Sequence, residues 1–164
     1  MPDDIEIRLA TEADCDAILA MLTRLAEDTG DSERFRCRTR DIREHGFGSQ
    51  ALFKSLIASR QDADVGLALF FPVFSTTRGK PGIYLQDLWV SPDCRDAGLG
   101  SRMLREVVAL ARSEWQAVYI DLMVHGHNEA ADRFYRRHGF IERSHDRHLN
   151  LDGSGFEALA VADD

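Results

Sequence analysis

Leu85-Gln86-Asp87-Leu88-Trp89-Val90-Ser91-Pro92-Asp93-Cys94-Arg95-Asp96-Ala97-Gly98-Leu99-Gly100-Ser101 reads as a strand that runs into a glycine-containing loop and then into the first turn of a helix. Ser91-Pro92 ends the strand, because proline has no N–H to give to a sheet ladder. Beyond Gly98-Leu99-Gly100, the spacing of Met103, Leu104, Val107, Val108 and Leu110 predicts a strong helix with these residues on its inner face. A helix N-terminus presents unpaired backbone N–H groups and partial positive charge. Glycines there let the backbone approach an anion, so this loop suits a phosphate or pyrophosphate. Two nucleotide-binding patterns are absent. There is no G-x-x-x-x-G-K-[ST], and no G-x-G-x-x-G followed about 20 residues later by an acid.

Working outward, residues 65–74 read as a buried strand and residues 83–90 as the next, joined through the turn Arg78-Gly79-Lys80-Pro81-Gly82 as an antiparallel hairpin. Residues 117–124 read as a further strand, so strand, helix and strand follow in order and imply a right-handed parallel crossover. Asn128 begins a helix that carries Ala130, Ala131, Phe134 and Tyr135 and ends at Gly139. The tail alternates weakly at Phe140, Ile141, Leu149 and Leu151, and is expected to add edge strands. Towards the N-terminus, Ile5, Ile7 and Leu9 alternate as a strand, and Thr11-Glu12-Ala13-Asp14 resembles a capping box. The helix after it carries Ile18, Leu19, Met21, Leu22 and Leu25 and stops at Gly30. Residues 31–48 are polar and arginine-rich, a short helix or an irregular lid; residues 52–59 are ambiguous between strand and helix. The expected fold is mixed α/β, one domain over residues 1–164, with antiparallel strands preceding a central β-α-β unit.

The chain has 164 residues, 44% hydrophobic and 29% charged, which suffices for a core without metals or disulfides. Its formal charge of −8 argues against nucleic acid and is compatible with cationic substrates. The three cysteines, Cys15, Cys37 and Cys94, form no C-x-x-C, so a reducing, cytoplasmic setting is expected. The N-terminus has no apolar signal region, and the most apolar stretch, residues 65–74, is short of the about 20 residues of a membrane span.

Arg95-Asp96-Ala97-Gly98-Leu99-Gly100 fits R-x-x-G-x-G, and Asn128 to Phe140 fits N-x-x-A-x-x-F-Y-x-x-x-G-F. These two segments, in this order and separated by one helix and one strand, resemble the GNAT superfamily of N-acetyltransferases. Arg8 to Cys15, His45-Gly46-Phe47-Gly48 and the run from Phe71 to Val90 are similar to its diamine (spermidine/spermine) acetyltransferase branch. The resemblance covers residues 5 to about 150. It implies that residues 52–59 are a strand, that the protein is a homodimer, and that acetyl-CoA is the co-substrate with no metal.

The resemblance also assigns roles. Arg95, Asp96, Ala97, Gly98, Leu99, Gly100 and Ser101 are expected to hold the pyrophosphate; Leu88, Trp89 and Val90 the pantetheine arm; Asn128 and Ala131 the cofactor's other side. Tyr135 is the implied acid at the sulfur; from periodicity alone it is a core aromatic beside Phe134. An aliphatic amine is protonated near neutral pH, so a base must free it before it attacks the thioester. Asp87 is the candidate base, through water, or else a structural carboxylate; His127 is an alternative. Backbone N–H groups of residues 88–90 are candidates to polarise the carbonyl. The acceptor is expected to meet Glu27, Asp28, Gln86 and Asp87. The branch usually carries Glu-Asp where this chain has Gln86-Asp87, a second acidic position falls on Thr29, and Gly126-His127 replaces its residues before the asparagine. His125 and His127 lack a third ligand at metal spacing. The arginines of residues 34–43 read as a solvated face or as partners of the cofactor's 3′-phosphate. The expected function is acetylation of a small cationic amine, against protein acetylation or a catalytically idle acyl-CoA-binding module.

Overall fold

A computed structural model describes residues 4–161. The chain divides into two compact units, Met1–His125 and Gly126–Asp164. In the first, β1 (Ile5–Leu9), β2 (Lys54–Arg60), β3 (Ala63–Ser75), β4 (Lys80–Val90) and β5 (Ile120–Asp121) form one sheet in that spatial order. The first three pairings are antiparallel, and β4 runs parallel to β5. Its helices are α1 (Cys15–Thr29), α2 (Thr39–Phe47) and α3 (Leu99–Trp115).

Strand alternation sorts the core into two layers. Ile57, Leu67, Leu69 and Trp89 point to the face covered by α1 and α2, where they pack with Ile18, Met21, Leu22 and Ile42. Residues of the other parity face α3: Phe70 meets Trp115 edge-on at 6.0 Å, and Gly66 lies beneath Met103. The entry to α1 is fixed by Asp14, whose carboxylate takes both Arg8 guanidinium nitrogens at 2.8 Å and the Thr11 N–H at 2.7 Å. Foremost through its hydrogen bonding to Arg8, the Asp14 pKa falls to about 2. Gly30, at φ 78°, closes α1 in the left-handed conformation that glycine adopts without a Cβ penalty.

The expected hairpin and the expected β4-α3-β5 order are both present. Residues 52–59, ambiguous from periodicity, supply β2, as the family resemblance implied, and the polar 31–48 segment contains α2. Three expectations are corrected. Val108 is 36% exposed rather than inward, since it sits one position off the Met103, Leu104, Val107 stripe. The strand expected over 117–124 contracts to Ile120–Asp121, at the edge of the described sheet. No strand succeeds β5 among the described residues.

The second unit holds α4 (Glu129–Arg137) and α5 (Gly153–Ala160). Asn128 caps α4 through Oδ1, which accepts the Ala131 N–H at 3.1 Å, and Gly139 comes just after the helix at φ 86°. The tail leaves Ile141 and Leu149 each 84% exposed. Residues 143–148 between them are charged or polar, and a strand gains stability only against a partner edge, which this unit does not present.

At Gly66 the backbone of β3 packs directly against Met103 of α3. A Cβ there would stand 2.6 Å from the Met103 Sδ and 3.1 Å from the Ala58 Cβ. Gly66→Val is therefore expected to lower the unfolding free energy by about 1–3 kcal/mol in urea titration. An unchanged midpoint would show that Met103 swings clear at no cost.

Candidate active site

The register of β3 on β4 slips between Leu69 and Phe70: Leu69 faces Asp87 while Phe70 faces Leu85. Gln86 is thus an extra, exposed residue, a β-bulge. Below it, Ile83 and Leu85 face α3; above it, Leu88 and Val90 do. The bulge switches parity and turns Asp87 to the α1/α2 face, together with Tyr84 and Trp89. Tyr84 stacks on Phe71 at 5.4 Å and stands beside Asp121 of β5. Parallel neighbours project to the same face, so Tyr84, Asp87 and Asp121 share one side of the sheet.

Strand β5 matches β4 only at Ile83↔Ile120 and Tyr84↔Asp121, with the Tyr119 carbonyl accepting the Ile83 N–H at 3.0 Å. From Leu85 to Val90, β4 has no strand partner on its β5 side among the described residues. Leu88, Trp89 and Val90, the residues expected to receive an extended ligand arm, lie along that open edge.

Burial raises the Asp87 carboxyl from 3.8 to about 6. The Tyr84 phenol is pushed up by burial first and then by the charges of Asp87 and Asp121. Burial also raises the Cys37 thiol, with smaller contributions from Asp41 and Asp87. Among the described residues, neither Asp87 nor Asp121 has an ion-pair or side-chain hydrogen-bond partner. The site therefore offers two uncompensated carboxylates and an aromatic face, which suits a cation.

The loop after β4 is tied down at its start. The Ser91 N–H donates to the Val65 carbonyl at 2.9 Å, Arg60 pairs with Asp93, and Cys94 is buried. Asp96 (φ 61°) and Gly98 (φ 81°) then turn the chain into α3, and buried Leu99 seats the helix. The Arg102 N–H reaches the Gly98 carbonyl at 3.0 Å, so the first-turn N–H groups ahead of it have no intrahelical acceptor. Arg95 does not reach into this turn. Its Nε donates to the Val90 carbonyl at 2.9 Å, and its guanidinium pairs with Asp28, which also accepts the Trp89 indole N–H at 3.1 Å.

The structure thus brings Asp28 to Trp89 and Arg95, while Glu27 is exposed and, among the described residues, has no ion pair or side-chain hydrogen bond with them. In the second unit, Asn128 and Ala131 are joined by the α4 cap, and Tyr135 lies half-buried with Phe134 at 5.1 Å and Phe140 at 5.3 Å. Among the described residues, no three His, Cys, Asp or Glu side chains group as a metal site. His125 instead meets Asp31 at 3.0 Å. Among the described residues, no helix is long and apolar enough to cross a membrane.

Residues 18–140 match the Acetyltransferase (GNAT) family. The chain belongs to the GNAT acetyltransferase family. Its relatives include thialysine N-epsilon-acetyltransferase of Sus scrofa, 34% identical over 64% of this chain and 66% of that protein. Spermidine/spermine N(1)-acetyltransferase-like protein 1 of Homo sapiens is 27% identical over 91% of this chain and 22% of that protein. The GNAT chain described here thus spans just under two thirds of the pig enzyme's length. Among solved structures, an integron cassette protein of V. cholerae superposes with a TM-score of 0.79 at 19% identity, covering 97% of this chain and 99% of that one. An aminoglycoside acetyltransferase from an uncultured soil sample does so with 0.74 at 16%, covering 92% and 98%. At these identities the superpositions show the fold alone.

Sequence reasoning did not single out Tyr84 and Asp121, which the sheet places on the same face as Asp87 in this candidate site. The bulge did leave a signal, since the apolar alternation shifts from residues 83 and 85 to residues 88 and 90. The sign of the Asp87 effect is testable. Its folded pKa lies above its unfolded value of 3.8, so its ionisation opposes folding increasingly from pH 4 to 6 and fully above. Asp87→Asn is expected to leave stability unchanged at pH 4 and to raise it by about 2–3 kcal/mol at pH 8, read by denaturant titration. Destabilisation at pH 8 would reveal a compensating partner for the charge.

Proposed function

We propose that the whole chain works as one acetyltransferase domain, which moves the acetyl group of acetyl-CoA onto a primary amine of a small cation by direct attack in a ternary complex. Asp87 carries this reading: a desolvated, unpaired carboxylate, turned by a bulge to the side of the sheet where Tyr84 and Asp121 stand, beside an open strand edge. Acetyl-CoA supplies an activated thioester; the first turn of α3 and the positive-φ loop before it have the chemistry to hold its pyrophosphate. Gly98 would carry no Cβ contact within 4 Å, which suits close approach of an anion.

In this reading Asp87 and Asp121 draw the ammonium in, with Glu27 at the exposed end of α1 as a further attraction. Asp87, with a pKa near 6, takes the proton of the bound amine through water. Gln86, neutral, leaves that work to Asp87 and accepts or donates a hydrogen bond. Backbone N–H groups of residues 88–90 stabilise the oxyanion, and Tyr135 returns a proton to the departing thiolate. Support for Tyr135, Asn128 and Ala131 is their place in N-x-x-A-x-x-F-Y. No cysteine acts as a nucleophile. Support for a cationic amine comes from the pig relative, named for thialysine, and the human one, named for spermidine and spermine. The diamine resemblance extends the reading to a homodimer in the cytoplasm, which sedimentation and fractionation test.

Acetyl-CoA-dependent thiol release is to be followed with polyamines, lysine analogues, aminosugars and a lysine peptide. Turnover is expected with a small cationic amine. Tyr135→Phe and Asp87→Asn are each expected to lower kcat by about 100-fold or more. The rising limb of kcat/KM against pH, with its midpoint near 6, should vanish in Asp87→Asn. Turnover confined to the peptide would instead assign a protein acetyltransferase. Coenzyme A binding without turnover would assign a binding module.

A further inference from the structure

We propose that Asp28 is a positioning residue for the cofactor loop, acting through Arg95, rather than a contact for the acceptor amine. The inference rests on the acetyl-CoA reading of that loop.

Asp28 sits in the last turn of α1. One of its oxygens accepts from two donors: the Trp89 indole N–H at 3.1 Å and the Arg95 guanidinium. Arg95 is held a second time, by its Nε on the Val90 carbonyl at 2.9 Å. Arg24 lies over the Trp89 ring, 5.7 Å from its centroid, on the same helix as Asp28. The end of α1, the end of β4 and the first residue of R-x-x-G-x-G are therefore joined at one carboxylate.

The backbone just past Arg95 needs such a hold. Asp96, a residue with a Cβ, takes φ 61°, a conformation that persists only where the surroundings impose it. Among the described residues, no side-chain hydrogen bond restrains residues 96–98. The way Arg95 is held on Val90 and Asp28, at the end of the Pro92–Cys94 turn, thus sets where the loop and the first turn of α3 present their N–H groups. The Arg95 and Asp28 side chains are 44% and 40% exposed, so the pair adds little to global stability. Its consequence is local, in the aim of the loop.

Electrostatics alone gives the opposite expectation. A pyrophosphate is repelled by Asp28, so removing that charge would tighten binding if Asp28 did no positioning. An acceptor-binding Asp28 would change the amine KM and leave the cofactor untouched. The two outcomes separate the roles.

The test is calorimetric titration of coenzyme A into wild type, Asp28→Asn, Arg95→Gln and the double variant, with thermal midpoints and steady-state constants for each. Asp28→Asn is expected to raise the coenzyme A Kd and the acetyl-CoA KM about tenfold, with kcat at saturation within about twofold, an unchanged amine KM and a nearly unchanged thermal midpoint. The double variant should bind no more weakly than Arg95→Gln alone, since Asp28 acts through Arg95, and Asp28→Glu should recover most of the affinity. Equal or tighter coenzyme A binding in Asp28→Asn, a rise in amine KM alone, or strictly additive losses in the double variant would overturn the proposal. Wild-type protein that binds no coenzyme A would overturn the acetyl-CoA reading and this inference with it.

Discussion

One inserted residue in β4 governs the rest of the site. Without Gln86 as a bulge, strict alternation would keep Asp87 on the α3 side with Ile83 and Leu85, both buried, where a carboxylate has no outlet. The bulge costs a ladder position opposite Leu69 and Phe70. In return it sets Asp87 on the same face as Tyr84, where burial lifts its pKa to about 6. Among the described residues, the pairing of β4 with β5 stops at Tyr84, two residues before the bulge. The register slip that turns the Asp87 carboxylate thus lies where the open backbone edge of β4 begins.

The helical layer on the Asp87 side is braced accordingly. Trp89, two residues past Asp87, is buried among α1 residues and gives its indole N–H to Asp28. Ser91 is latched onto β3, and Cys94 and Leu99 are buried on either side of the turn that launches α3. Buried anchors thus flank a short segment, residues 95–98, which holds the positive-φ positions Asp96 and Gly98. A scaffold of this kind confines the unusual backbone at Asp96 to a short loop and leaves stability to the layers around it.

Much of this was legible in the sequence because the relevant signals are local. The helix stripes of α1 and α3, the Asn128 cap and Gly139 stop of α4, and the turn before β4 each arise from residue chemistry over a few positions. The loop motif and the Asn128 to Phe140 segment together pointed to the family, which the match over residues 18–140 shows. The features that escaped were set by tertiary pairing. Asp121 matters only because β5 meets β4 at Tyr84, and no periodicity encodes that register. The sequence neighbourhood of Asp28 suggests the acceptor, whereas its contacts run to Trp89 and Arg95, more than 60 positions away. The tail failed for a related reason: Phe140, Ile141, Leu149 and Leu151 alternate, but alternation makes a strand only where an edge receives it.

The central claim is that the bulge creates a desolvated, unpaired carboxylate at Asp87. Carboxyl-carbon NMR titration of the folded protein, with Asp87 assigned by comparison with Asp87→Asn, measures this directly. The account predicts a midpoint near 6 for Asp87, well above the other assigned aspartates. A midpoint near the ordinary aspartate value of about 3.9 would contradict it, because Asp87 would then be solvated or paired and unsuited to the role of base proposed for it.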